Sequence, residues 1–150
     1  MAKRFRFQLE TVLRVRELRQ QEAARHLAEK RAEIARVEQL IDDTHHEVDV
    51  RQAELLSAQQ SESIDAGLLV RCRAWIGQLR RNIAQFQHAR AQLSQQYEQL
   101  AGVWRQARTQ TRILEKLRER RLDEHKHVER RREQADADEL AQQLQLRKRA

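Results

Sequence analysis

Apolar side chains recur every seven residues in two separate stretches of the chain. In the first stretch this spacing joins Leu13, Leu27, Ile34, Ile41, Val48 and Leu55, interrupted only by Gln20. In the second it joins Leu79, Phe86, Leu93, Leu100 and Leu114, with Ala107 in the remaining position. Because an apolar repeat of seven keeps one stripe of an α-helix turned toward the same neighbour, the two stretches predict two helices packed along a seam.

The composition favours long helices that are mostly in contact with water. The 150 residues include no proline and only 3 glycines, and 35% of them are charged while 4% are aromatic. A compact globule of this length would need more large apolar residues than a narrow seam uses. We therefore predict an all-α fold without a deep ligand pocket.

The turn between the helices is predicted from a concentration of turn and N-cap residues. The segment SAQQSESIDAG, residues 57–67, contains Ser61, Ser63, Asp65 and Gly67. We expect helix one over about residues 5–58, a turn over about 59–67 and helix two over about 68–135 or beyond, with the order of 136–150 left open.

A bend near Ser63 would pair Leu55 with the region of Cys72, and Leu13 with the region of Leu114. The whole chain, 1–150, is then one antiparallel coiled-coil hairpin, a rod on the order of 75 Å long. The end of helix two has no partner in helix one, so the pattern also predicts a protruding basic C-terminal helical extension.

The formal net charge of +7 comes from the second half of the chain. Residues 1–75 contain 13 basic and 13 acidic side chains, whereas residues 76–150 contain 17 basic and 10 acidic ones. The basic residues toward the end of helix two are Arg105, Arg108, Arg112, Lys116, Arg118, Arg120, Arg121, Lys126, Arg130, Arg131 and Arg132, and Lys3, Arg4 and Arg6 are expected near them. One tip of the hairpin is therefore predicted to be strongly basic.

Three interpretations of this basic tip remain open. It can be an ordinary solvated helical face, a surface that docks on an acidic partner, or a surface that binds nucleic acid. Nucleic acid is the second choice because the sequence has no aromatic residues interleaved with the basic ones and no glycine-rich loop. Binding to a membrane surface is weaker still, because the extension lacks a wide apolar face.

No constellation of residues suggests catalysis or a bound cofactor. The pairs His45 with His46 and His125 with His127 point to different helix faces and cannot share a metal ion at that spacing. The single cysteine, Cys72, falls on the seam, where it should be a small buried apolar residue. We expect no enzyme activity, no metal, no cofactor and no small-molecule substrate.

Aromatic residues away from the seam are candidate partner-binding residues. Trp75 and Leu68, with the edge of Leu79, should form an apolar patch, which either packs against the flank of the seam or anchors a partner. At the start of the chain, Phe5, Phe7 and Leu9 either staple the entry to helix one or contact a partner.

Two segments carry a resemblance to a known family. The opening FRFQLETVLRVRELRQQEAARHLAEKRAEIARVEQ, especially Phe7, Leu9, Val12, Leu13 and Arg16, and the later LEKLRERRLDEHKHVERRREQADADE resemble the flagellar export protein FliJ. The similarity extends over nearly the whole chain. The stalk proteins of virulence injectisomes are similar in shape and length and remain an alternative.

The resemblance implies a non-enzymatic, stalk-like protein of the flagellar type III export apparatus, cytoplasmic and peripherally associated with the inner membrane. Its implied partners are the hexameric export ATPase, a membrane export-gate protein and export chaperones. By position, the ATPase-binding residues would be Phe5, Phe7, Leu9, Arg118, Arg120 and Arg121, and the gate- or chaperone-binding residues Leu68, Trp75 and Leu79. The competing hypotheses are a nucleic-acid-binding coiled coil and a purely structural spacer.

Overall fold

The computed structural model describes residues 4–149, and this part of the chain contains two α-helices and no strand. Helix α1 spans Glu10–Gln59 and helix α2 spans Ala66–Arg149. The two long helices pack against each other in opposite directions. The fold class predicted from the two heptad repeats, an all-α helical hairpin, is therefore confirmed.

Helix α1 begins at Glu10, later than the expected start near residue 5. Residues 4–7 have no regular secondary structure, and residues 8–9 form a turn. The backbone N–H of Glu10 donates to the carbonyl of Phe7 at 3.3 Å, and that of Leu13 donates to the carbonyl of Leu9 at 2.9 Å. The reason for the later start is the alternation of charged and aromatic residues before Gln8, which suits an extended segment better than a helix.

The turn between the helices ends in an aspartate N-cap. The Oδ1 atom of Asp65 accepts a hydrogen bond from the backbone N–H of Leu68 at 3.2 Å, which satisfies one of the unpaired donors of the first turn of α2. Ser61 Oγ donates to the carbonyl of Ser63 at 3.2 Å and helps to shape the turn. Helix α2 thus begins at Ala66, two positions before the expected residue 68.

The chain divides into two packed units. The first comprises Glu22–Trp104, and its apolar core consists of Val48, Ile76, Leu79 and Ile83, with Leu55 packed against them. Contacts across the seam join Arg51 to Trp75, Glu38 to Arg90, and Arg31 to Tyr97. Because the α2 residue number rises as the α1 number falls, the helices are antiparallel, and the pairing agrees with a bend near Ser63.

The second unit joins Met1–Gln21 to Arg105–Ala150. Its seam contains the buried residues Leu13 and Thr111, and Arg16 donates to the side-chain oxygen of Gln110. The buried hydroxyl of Thr111 donates to the carbonyl of Ala107 at 3.1 Å, so it needs no partner on α1.

The unpaired extension of α2 is shorter than the sequence suggested. Residues of the N-terminal segment reach as far as His125, so α2 has a packing partner well beyond Leu114. Residues 130–149 are all exposed, and they remain helical up to Arg149. Neither helix in residues 4–149 has an apolar stretch long enough to cross a membrane.

Candidate functional site

The first candidate surface is built on the N-terminal strap, which we define as residues 4–9. Its side chains alternate: Arg4 and Arg6 are exposed, Phe5 is half-buried and Phe7 is buried, with 8% of its surface accessible. The ring of Phe5 meets His125 edge to face, with centroids 5.7 Å apart and planes at 67°. The ring of Phe5 therefore joins the strap to α2, and Phe7 is the buried residue of the strap.

The strap and α2 enclose two shallow concave regions. One lies between the aromatic side of the strap and Leu117, His125 and Val128 of α2. The other has a volume of about 950 Å³ and is lined by Arg4, Phe5, Arg6, Phe7, Gln8, Glu10, Thr11 and Arg118. The second region is basic at its rim and large enough for several side chains of a partner.

The three arginines proposed from the sequence are exposed on α2, and two of them make ion pairs. Arg118 Nε donates to Glu10 Oε2 at 3.1 Å, which ties α2 to the start of α1. Arg121 Nη1 donates to Glu124 Oε2 at 3.0 Å within α2. Arg120 is exposed. Of the strap residues, Leu9 is partly accessible, whereas Phe7 is not. Lys3, which was expected in the same region, lies outside the described residues.

The second candidate surface contains Trp75 and Leu68, near the start of α2. Trp75 is 48% accessible and Leu68 is 40% accessible, whereas Leu79 is 6% accessible and belongs to the core of its unit. The structure thus brings two of the three residues to the surface. Leu79 belongs to the buried cluster with Val48 and Ile76.

Arg51 of α1 covers one face of Trp75, with its Cζ atom 4.0 Å from the ring centroid. The same guanidinium donates through Nη1 to Glu54 at 2.9 Å, while Nε is shielded from solvent and has no hydrogen-bond partner among the described residues. The hydrogen bond to Glu54 is the main reason why the pKa of Arg51 is raised, and partial desolvation opposes it. Arg51 is therefore a permanent cation that packs its apolar plane on the indole.

Some exposed apolar residues at the end of α1, in the turn and at the start of α2 were not identified from the sequence. They are Leu56, Ile64 and Val70, each more than half accessible. Each lies outside the heptad positions that define the seam. This position in the heptad was the feature of the sequence that could have predicted their exposure. An apolar residue off the seam of a two-helix protein has no second layer to cover it.

Residues 4–149 contain no group of three histidine, cysteine or acidic side chains arranged to hold a metal ion. Cys72 is a free, buried thiol in the seam, as its heptad position predicted. The features that the structure does present are two surfaces, one basic and one apolar, on a helical framework.

These features define the class as a two-helix coiled-coil protein with exposed basic and apolar binding surfaces. The chain belongs to the FliJ family, because the family profile described as "Flagellar FliJ protein" matches residues 5–150. The family is a non-catalytic component of the flagellar protein export apparatus. No curated protein and no solved structure gave a significant match to the chain.

Proposed function

We propose that this protein is a stalk-like coiled coil that binds the hexameric ATPase of the flagellar export apparatus and promotes its assembly and activity. It also couples the ATPase to the membrane export gate and helps to handle export chaperones. The observation that carries this proposal is the family match over nearly the whole chain. We place the protein in the cytoplasm, at the periphery of the inner membrane.

The proposed ATPase-binding residues are Phe5, Phe7, Leu9, Arg118, Arg120 and Arg121. Their support is that the strap and the adjacent part of α2 form one contiguous surface, joined by the Phe5–His125 contact and by the Glu10–Arg118 ion pair. Basic side chains on such a surface attract acidic partners and accelerate their encounter. The role of the stalk is mechanical and does not include hydrolysis.

The proposed gate- or chaperone-binding surface centres on Trp75 and Leu68, which Leu79 supports from the core. Exposed tryptophan beside other apolar residues is typical of the residues that dominate binding energy at interfaces. Arg51 covers only one face of the indole, so about half of the Trp75 surface remains accessible.

The proposed function is tested by mixing the purified protein with its cognate export ATPase and following ring formation and ATP hydrolysis. We expect both to increase with the wild-type protein and to fall when Arg118 and Arg121 are changed to Gln. A truncation after Glu129 separates the contribution of the exposed extension from that of the surface around the strap. Deletion from residue 118 onward is less informative, because it also removes His125, which contacts Phe5.

The control for this experiment is Trp75→Ala, which should leave ATPase stimulation unchanged and weaken binding to the isolated cytoplasmic domain of the gate protein. The absence of any effect of the wild-type protein on the ATPase would favour a structural spacer instead. A nucleic-acid-binding coiled coil would bind duplex DNA with an affinity that falls steeply with salt and does not depend on Trp75.

A further inference from the structure

We infer that Arg4 and Arg6 bind an acidic segment of the partner, and that Phe7 is a positioning residue that holds them in place on α2. The inference rests on the proposed function, because it refines the ATPase-binding surface. In the proposed function Phe7 contacts the partner, whereas here Phe7 fixes the position of the strap by its own packing. It also adds two arginines that the sequence had placed in this region without a specific role.

Buried and exposed side chains alternate along residues 4–7 of the strap. Phe5 contacts His125 of α2 and Phe7 is buried, while Arg4 and Arg6 are exposed, as expected for an extended segment with one apolar side. Because Phe7 is only 8% accessible, a partner that docks on the seated strap meets the arginines first. The packing of Phe5 and Phe7 therefore determines the direction in which Arg4 and Arg6 project.

The strap, rather than α2, supplies the net positive charge of this surface. Residues 115–124 of α2 contain four basic and four acidic side chains, so this stretch of helix is balanced by itself. Arg118 and Arg121 are already paired with Glu10 and Glu124. Arg4 and Arg6, by contrast, have no ion-pair or hydrogen-bond partner within residues 4–149. The excess positive charge at this surface therefore comes from the strap.

The surface around the strap is concave. Arg4, Arg6 and Arg118 lie along the concave region of about 950 Å³, which is too large for a single ion and suits several side chains. Guanidinium groups bind carboxylates with two parallel hydrogen bonds, so aspartate and glutamate side chains are the matching chemistry. The inferred occupant is an acidic peptide segment of the ATPase.

The experiment compares the wild-type protein with the double variant Arg4→Gln/Arg6→Gln. We expect the affinity for the ATPase at low salt to fall about fivefold, which is typical of the loss of two exposed ion pairs, and the difference to shrink as salt is raised. The matched control is Arg71→Gln/Arg73→Gln, which removes the same charge from exposed positions of the other unit and should leave the affinity unchanged.

A double-mutant cycle with Phe7→Ala distinguishes positioning from contact. If Phe7 only seats the strap, removing the arginines in the Phe7→Ala background should cause little further loss, and Phe7→Leu should restore most of the binding. Additive losses would overturn the positioning role of Phe7. Hydrogen exchange of α1 and α2 checks that the helices stay folded in every variant.

A labelled hexaglutamate peptide separates this inference from the proposed function. Peptide binding that depends on Arg4 and Arg6, without any binding to the ATPase, would reject the proposed partner and retain the acidic-segment site. Normal ATPase binding by the Arg4→Gln/Arg6→Gln variant would reject the site and retain the proposed function. Stronger ATPase binding by Phe7→Ala would also overturn the inference, because the strap would then be a cover that the partner displaces.

Discussion

Arg51 and Trp75 form a cation–π pair between the two helices, with the guanidinium carbon 4.0 Å from the centre of the indole. Trp75 directly precedes Ile76 in the chain, and Ile76 belongs to the core cluster with Val48 and Leu79. One arginine thereby covers an aromatic face that a second helix layer would cover in a larger bundle. The arrangement combines the two expectations for Trp75, since the residue packs on the flank of the seam and still exposes half of its surface.

Replacing Arg51 with Lys should lower the midpoint of thermal unfolding. The guanidinium of Arg51 is planar and stacks on the indole while it pairs with Glu54, whereas the ammonium group of lysine has no planar face to stack. Far-UV circular dichroism measures the midpoint. The pKa of Arg51 is raised in the folded state. The charged side chain therefore contributes fully to stability at every pH below the pKa of Arg51 in the unfolded chain. This contribution is lost only as the pH rises through the higher pKa of the folded state.

The control for the Arg51 variant is Arg36→Lys, at an exposed position of α1, which should leave the midpoint unchanged. The effect of Arg51→Lys should also disappear in a Trp75→Leu background. An equal effect in both backgrounds would show that the ion pair with Glu54, rather than the indole, accounts for the loss.

Leu79→Ala should reduce the free energy of unfolding by roughly 2–4 kcal/mol, since it removes a large side chain from a packed cluster. The matched variant Leu68→Ala, at an exposed position on the same helix, should change it by less than about 0.5 kcal/mol. Urea denaturation measures both values. Equal effects would contradict the assignment of Leu79 to the core and Leu68 to the surface.

Asp65→Ala should destabilise the protein by about 1 kcal/mol, because the first turn of α2 loses its side-chain acceptor. Asp65→Ser should retain most of the stability, since a serine hydroxyl can accept the same hydrogen bond from Leu68. Hydrogen exchange at the N–H of Leu68 provides a local measurement. Unchanged protection in Asp65→Ala would mean that the cap does not hold the helix start.

Thr111→Val should leave stability unchanged or slightly increased. The Thr111 hydroxyl bonds only to the carbonyl of Ala107 in its own helix, and valine fills the same volume in the buried seam. Thr111→Ala, in contrast, should destabilise the protein by about 1 kcal/mol through the lost methyl group. A marked loss in the valine variant would indicate that the hydroxyl has a second role in the seam.

Truncation after Glu129 should remove helical signal without lowering the midpoint of unfolding. Residues 130–149 are exposed throughout and contribute no buried surface to either unit. In the full chain these residues should exchange their amide hydrogens faster than residues 105–125. A lower midpoint in the truncated protein would show that the extension stabilises the seam.

The heptad repeats were sufficient to predict the fold class and the pairing of the helices. The spacing of apolar residues within each helix shows which residues face the other helix. The position of the bend near Ser63 then determines which residues of α1 and α2 lie opposite each other. The N-cap at Asp65 was also predictable, because capping is a contact between residues three positions apart. The start of α1 was placed too early because the alternation of charged and aromatic residues over 4–7, which indicates an extended segment, was not taken into account.

The binding surfaces were predictable only in part. The sequence indicated Trp75, Leu68 and the arginines of α2. It placed Leu79 in the seam and also expected the edge of Leu79 to belong to the exposed patch. Leu79 is buried, in agreement with its seam position, but a heptad pattern alone does not show how much of the edge of a seam residue stays accessible.

Local periodicity and turn chemistry thus account for the two helices, their seam and the turn, because these depend on residues close together in the chain. The seating of the strap on α2 and the covering of Trp75 by Arg51 depend on residues far apart in the chain. Such contacts form only after the helices have packed, since packing brings together side chains that no local pattern relates. For that reason the exposed surfaces available to a partner were decided by the tertiary structure.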